Sequence, residues 1–89
     1  MAATIEPAVL QDDIAVSLAR AVAAANRRAA DLGVDVRASH LSVSDQTTAG
    51  DAVWRISYGP RNPVGRRGGD LIIDVNWHDG SIRRELRGQ

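Results

Sequence analysis

The spacing of apolar residues changes once along this chain, at Gly33, and that change constrains the fold more than any other feature. Before Gly33, apolar residues recur every three or four positions, the spacing of one face of an α-helix. They are Ile14, Leu18, Ala21, Val22, Ala25, Ala29 and Leu32. After Gly33, apolar residues recur at every second position, as in strands with one buried face. The sequence therefore predicts one helix followed by a sheet.

The predicted helix carries matching signals at both ends. Asp12 or Asp13 can accept hydrogen bonds from the first free amides and places negative charge at the positive end of the helix dipole. Arg27 and Arg28 place positive charge near the other end. Gly33 can adopt the positive φ that commonly follows a helix. Start, end and charge polarity therefore all agree with the apolar pattern.

The remainder of the chain predicts four strands. They cover residues 34–43, 52–59, 70–77 and a final segment that starts at Ile82. The apolar positions change parity near Ser39 and His40, so we expect a bend or bulge there. Turn-forming residues separate the strands at 45–51, 59–69 and 78–81. Because no helix lies between the strands, the sheet is expected to be antiparallel with the helix on one face.

The length of the chain predicts a single domain over residues 1–89. A chain of 89 residues is too short to form two stable cores. The predicted fold class is therefore α+β, with one N-terminal helix packed on a four-stranded antiparallel sheet.

Charge and residue usage argue against several function classes. Eleven basic and eleven acidic residues give a formal net charge of zero, so no long-range field attracts nucleic acid or an anionic membrane. The chain has no cysteine, and neither of its two histidines, His40 and His78, has a second ligand type at metal-binding spacing. We predict no cofactor, no metal and no catalytic residue.

The N-terminal segment does not resemble a secretion signal. It carries Glu6, Pro7, Asp12 and Asp13 where a signal peptide needs a basic start and an apolar run. No apolar stretch approaches the length of about 18 residues that a membrane helix needs. A cytoplasmic location without membrane contact is the default expectation.

The segment 59–69 is the first candidate binding element. Its two prolines and four glycines exclude regular structure and predict an exposed loop. Arg61, Arg66 and Arg67 could bind carboxylate or phosphate groups of a partner through their guanidinium groups. A solvated, disordered loop is the alternative. The loop lacks the Gly-Lys-Ser/Thr sequence of a phosphate-binding P-loop.

The three aromatic residues are the second candidate site. Trp54, Tyr58 and Trp77 share parity with aliphatic neighbours on their strands, which favours packing beneath the helix. They could also line a pocket between helix and sheet for a small ligand. An exposed aromatic surface for a peptide or single-stranded nucleic acid is a further alternative.

The C-terminal half resembles PepSY-like and cystatin-like small domains. The resemblance rests on three segments, which read VWRISY at 53–58, GGDLIIDV at 68–75 and DGSI at 79–82. It implies a helix cradled by a curved sheet, hence a cystatin-like arrangement. Families built in this way include protease inhibitors, bacterial immunity proteins and accessory binding modules. The matching segments contain no catalytic residue, so the resemblance implies none.

These observations favour a non-enzymatic protein-binding or inhibitory module that acts through its loops and a sheet edge. The expected partner is another protein, or a second copy of the chain joined through that edge. A small-ligand domain or enzyme with a pocket between helix and sheet is the first alternative. An arginine-mediated nucleic-acid binder is the second, and the zero net charge argues against it.

Overall fold

The computed structural model describes residues 7–60 and 70–87. Its elements are, in chain order, helix α1 (Pro7–Leu10), helix α2 (Asp13–Asp31), a short 3-10 helix (Val36–Ala38), and strands β1 (Ser39–Thr48), β2 (Asp51–Pro60), β3 (Leu71–Asn76) and β4 (Ile82–Arg87). The strands form one antiparallel sheet in which each pairs with its neighbour in sequence, in the order β1-β2-β3-β4. Helix α2 packs on β3 and β2. The α+β fold expected from the sequence is confirmed.

Helix α2 begins and ends where its capping residues predict. The Asp12 carboxylate accepts hydrogen bonds from the backbone amides of Ile14 and Ala15, at 2.9 and 3.1 Å. Leu32 is the C-cap, and Gly33 follows it with a φ of 85°. The one-turn helix α1 before Asp12 was not expected from the sequence.

Alanines form the part of α2 that faces the sheet. Ala21, Ala25 and Ala29 are fully buried, and they pack against large residues of the two central strands. Those residues are Trp54, Ile56, Tyr58, Leu71, Ile73 and Val75. The short alanine side chains let the helix approach closely, so the sheet supplies most of the core volume.

The chain between α2 and β1 differs from the prediction. Residues 36–38 form a 3-10 turn, although the alternation of Val34 and Val36 predicts a strand. The Asp35 side chain caps this turn at the Ala38 amide, and the Asp35 carbonyl accepts from the Ser39 hydroxyl. These local hydrogen bonds compete with extended structure, so β1 starts at Ser39.

Strand β1 is longer than predicted. Residues 45–51 have turn-forming side chains, yet the strand continues to Thr48 and the turn consists of Ala49 and Gly50 alone. Both turn residues have positive φ, 52° and 83°, as a type I′ hairpin requires. Continuous pairing with β2 overrides the weak strand propensity of this polar segment.

Strand β3 ends one residue before Trp77, which the alternation places in the strand. The Asn76 side-chain carbonyl accepts hydrogen bonds from the backbone amides of His78 and Asp79, at 2.8 and 2.9 Å. This Asx turn bends the chain at Asn76. Trp77 therefore lies in the turn before β4, although its amide still donates to the Ala52 carbonyl of β2.

Candidate functional site

The two edges of the sheet differ in how they are protected against pairing with another strand. Edge strands are commonly protected by short length, charged side chains or bulges. Strand β4 shows all three, because it has only six residues, four of them charged, and its register with β3 shifts between Asp74 and Val75. This edge is a poor template for a further strand.

Strand β4 is also tied to the helix. The Glu85 carboxylate accepts hydrogen bonds from the Arg28 guanidinium, which hold the pKa of Glu85 below its usual value. Arg87 donates to the backbone carbonyl of Leu32 at the end of α2, at 3.1 Å. These contacts fix the strand in place.

Strand β1, at the other edge, is long, has no bulge and carries a single acidic side chain. Its ten residues pair with β2 in an unbroken register from Ser39–Pro60 to Thr48–Asp51. It contains no proline, lysine or arginine, and Asp45 is its one acidic residue. No described residue forms a strand beyond it. A long, regular and nearly uncharged edge is a template for strand addition.

The hairpin geometry identifies which backbone groups of β1 are free. The Ala52 carbonyl accepts from Trp77 on the β3 side, so even-numbered residues of β2 point their backbone groups away from β1. Odd-numbered residues of β2 therefore bond to β1, and the register pairs them with even-numbered residues such as Ser42 and Ser44. The odd-numbered residues Leu41, Val43, Asp45 and Thr47 consequently direct both their amide and their carbonyl groups outward. We call this outward side of β1 the free edge.

The free edge is accessible from both faces of the sheet. On the face toward α2, Val43 is 41 % exposed, since the helix lies over β2 and β3 rather than over β1. On the opposite face, which we call the outer face, Ser42 and Ser44 are exposed. An added strand would therefore meet exposed side chains on both faces of β1.

An ion pair on the outer face holds the strands behind the free edge together. Arg55 of β2 lies directly opposite Asp74 of β3, and its guanidinium donates two hydrogen bonds to the carboxylate, at 2.9 and 3.0 Å. The Asp74 side chain is 1 % exposed, whereas that of Arg55 is 30 % exposed. This two-point contact stiffens the strand on which β1 is built.

The structure brings two of the three predicted aromatic residues together. The rings of Trp54 and Trp77 stack with centroids 5.3 Å apart and an interplanar angle of 17°. The buried Ser17 hydroxyl of α2 accepts from the Trp54 indole N–H at 2.9 Å and donates to the Trp77 carbonyl. Tyr58 lies four residues farther along β2, where its hydroxyl donates to the Asn26 side-chain oxygen.

A groove of about 430 Å³ runs beside Trp77, between the start of α2 and the β3–β4 turn. Its lining combines apolar, aromatic and charged side chains, namely Asp13, Val16, Ser17, Arg20, Trp77 and His78. Arg20 already donates to the His78 carbonyl at 2.7 Å. Among the described residues, every buried side-chain nitrogen or oxygen has a hydrogen-bond partner. The groove thus presents no buried polar group that requires a ligand.

Burial of Tyr58 gives a direct test of the core. The side chain is 2 % exposed, and its desolvation raises the pKa of the phenol from 10.0 to about 12. Tyr58 is the only tyrosine, so phenolate absorbance reports this group alone. We expect a titration midpoint near pH 12 while circular dichroism shows that the protein is folded. A midpoint near 10 in folded protein would show that the phenol is hydrated.

The same shift predicts how stability depends on pH. The pKa of Tyr58 is higher in the folded protein than in the unfolded chain. Its contribution to the free energy of unfolding is therefore complete below pH 10 and is lost as the pH rises toward 12. Two pKa units correspond to about 3 kcal/mol. Urea unfolding of Tyr58→Phe should therefore show a smaller loss of stability between pH 10 and 12 than the unmodified protein.

The remaining predicted site lies outside the described residues. Gly59 and Pro60, which are predicted to begin the loop, are instead the last residues of β2, where they pair with His40 and Ser39. Arg61, Arg66 and Arg67 fall within 61–69, so their role in partner binding stays a prediction. Within residues 7–60 and 70–87, no three histidine or acidic side chains cluster as metal ligands would. In the same ranges, no helix has both the length and the apolarity required to cross a membrane.

Comparison with known proteins identifies no significant relative of this chain. No protein-family model matches the chain, and neither the curated proteins nor the solved structures contain a significant match.

Proposed function

We propose that this chain is a protein-binding domain that captures an extended segment of another polypeptide at the free edge of β1. The observation that carries the proposal is the contrast between the two sheet edges. Six residues of β4 include three arginines, a glutamate and a bulge, whereas ten residues of β1 include one acidic side chain and no bulge. This contrast is expected if the β4 edge is protected against pairing with another strand and the β1 edge is used to bind one.

The free edge supplies affinity mainly through backbone hydrogen bonds. Leu41, Val43, Asp45 and Thr47 each offer one donor and one acceptor, so an extended segment can bind whatever its sequence. Selectivity then comes from side chains that flank the edge. Val43 favours apolar neighbours on the helix side, and the serines favour polar neighbours on the outer face.

Two further features support a binding role over an enzymatic one. The groove beside Trp77 holds no buried polar group without a partner, and its Arg20 side chain is already bonded to the His78 carbonyl. The proposal also agrees with the role that a PepSY-like or cystatin-like build of the C-terminal half would imply, since inhibitors and accessory binding modules are built on such domains. The arginines of 61–69 would add contacts to acidic groups of the partner.

Selection of peptides tests the proposal without knowledge of the natural partner. A displayed library of random decapeptides is screened for binding to three separate targets, which are the unmodified protein, Val43→Lys and Ile82→Lys. Val43 and Ile82 are 41 % and 38 % exposed on opposite edge strands, so the two substitutions are matched. We expect the selected peptides to have side chains whose polarity alternates from one residue to the next. The same peptides should bind the unmodified protein and Ile82→Lys, and should bind Val43→Lys about tenfold more weakly or worse.

Two results of the selection would contradict the proposal. One is the enrichment of no peptide by the unmodified protein. The other is equal binding of the selected peptides to all three proteins, which would place the binding surface away from β1. Circular dichroism of each variant establishes that the comparison is made between folded proteins.

A further inference from the structure

We infer that a second copy of this chain fits the free edge, and that two copies pair antiparallel through β1 in a register centred on Ser44. The inference rests on the proposed function, because it names one partner for the same edge. It would join two four-stranded sheets into one continuous sheet, with both α2 helices on the same face.

The positions of the free backbone groups determine the register. The four outward residues, Leu41, Val43, Asp45 and Thr47, are symmetric about Ser44. A two-fold axis at Ser44 therefore places Leu41 opposite Thr47 of the second copy and Val43 opposite Asp45. Each of these pairs exchanges two hydrogen bonds, so every free amide and carbonyl of the four residues is satisfied on both copies.

Neighbouring registers leave groups unpaired. An axis at Ser42 or Val43 brings Ser39 into the ladder, and the Ser39 amide already donates to the Val36 carbonyl. An axis at Asp45 places the two carboxylates directly opposite each other, which is unfavourable. The Ser44 register avoids both problems.

The side chains also suit pairing of two identical edges. On the outer face, Ser44 meets its own copy and Ser42 meets Gln46, all of them able to form hydrogen bonds. On the helix side, each Asp45 lies next to Val43 of the other copy, a less favourable pair than an apolar one, but Asp45 is exposed and its carboxylate stays in contact with water. The chain has zero net charge, so no overall repulsion opposes association.

Cysteine cross-linking tests both the pairing and its register, because the natural chain has no cysteine. Ser44 forms a pair without mutual hydrogen bonds across the axis, with Cα atoms roughly 4.5 Å apart. That separation lies within disulfide range. Ser42 is on the same strand and face, yet its two copies would be roughly 13 Å apart. We expect Ser44→Cys to form a disulfide-linked dimer in a glutathione buffer about ten times more extensively than Ser42→Cys.

The outcomes separate the failure of this inference from that of the proposed function. Adding Val43→Lys to Ser44→Cys should reduce the cross-link strongly, and an unchanged yield would overturn pairing at the edge. Equal yields for Ser44→Cys and Ser42→Cys, or a higher yield for Ser42→Cys, would overturn the register. Absence of any cross-link in a protein that still binds selected decapeptides at β1 would overturn self-pairing while leaving the binding function intact.

Discussion

Replacing Arg55 by Met should lower the free energy of unfolding by about 1 to 3 kcal/mol, because it removes the hydrogen bonds of the buried Asp74 carboxylate. The Asp74 carboxylate is 1 % exposed, and the Arg55 guanidinium holds both of its oxygens. Without Arg55, the buried carboxylate loses both of these hydrogen bonds, and only Arg84, its register partner on β4, lies opposite it. The loss costs more than a surface ion pair contributes. Urea denaturation measured at pH 7 gives the change.

Two further variants show whether the buried carboxylate is the cause. The double variant Arg55→Met/Asp74→Leu removes both charges and should recover most of the lost stability. Arg83→Met breaks the pair between Arg83 and Asp51, whose side chains are 48 % and 42 % exposed, and should cost no more than about 1 kcal/mol. A change below about 1 kcal/mol for Arg55→Met would show that Asp74 is hydrated in solution.

Replacing Ile73 by Ala should lower the free energy of unfolding by about 2 to 5 kcal/mol. Ile73 is fully buried between α2 and the centre of the sheet, so the substitution leaves a cavity that close packing cannot fill. Thermal or urea unfolding measures the effect.

The adjacent residue supplies the matched control. Ile72 lies on the outer face and is only partly buried, so Ile72→Ala should cost about 1 kcal/mol. The two substitutions remove the same atoms from neighbouring positions of one strand. Equal losses would contradict the assignment of the helix to the face that carries Ile73.

The helix and the central strands could be predicted because local signals and burial agree there. Asp12, the apolar stripe and Gly33 each mark the same helix, and the structure caps it at those residues. Trp54, Ile56 and Tyr58 alternate with polar residues because one face of β2 packs under α2. In these segments the spacing of apolar residues is sufficient to predict the secondary structure and the buried face.

The exact extent of the edge strand could not be predicted. Residues 45–48 are polar and typical of turns, and only their pairing with residues 51–54 of β2 holds them extended. Conversely, Val34 and Val36 alternate as in a strand, but the hydrogen bonds that Asp35 accepts from Ala38 and Ser39 favour a 3-10 turn. Tertiary pairing decides the first case, and local side-chain hydrogen bonds decide the second.

Only part of the candidate site could be predicted from the sequence. A sheet edge could be expected, but which strand forms it depends on the strand order. The useful signal is the distribution of arginine, since β4 has three in six residues and β1 has none in ten. The ion pair between Arg55 and Asp74 needs the register of β2 and β3, which residue patterns alone do not specify.

Amide hydrogen exchange, resolved by residue with nuclear magnetic resonance, tests the central claim most directly. In dilute protein, the outward amides of Leu41, Val43, Asp45 and Thr47 should exchange rapidly, while that of Ser44 is protected by β2. Saturation with a selected decapeptide should slow the outward amides by about a factor of ten or more. Outward amides that are already protected in dilute protein, or that stay fast with the peptide bound, would contradict strand capture at the free edge.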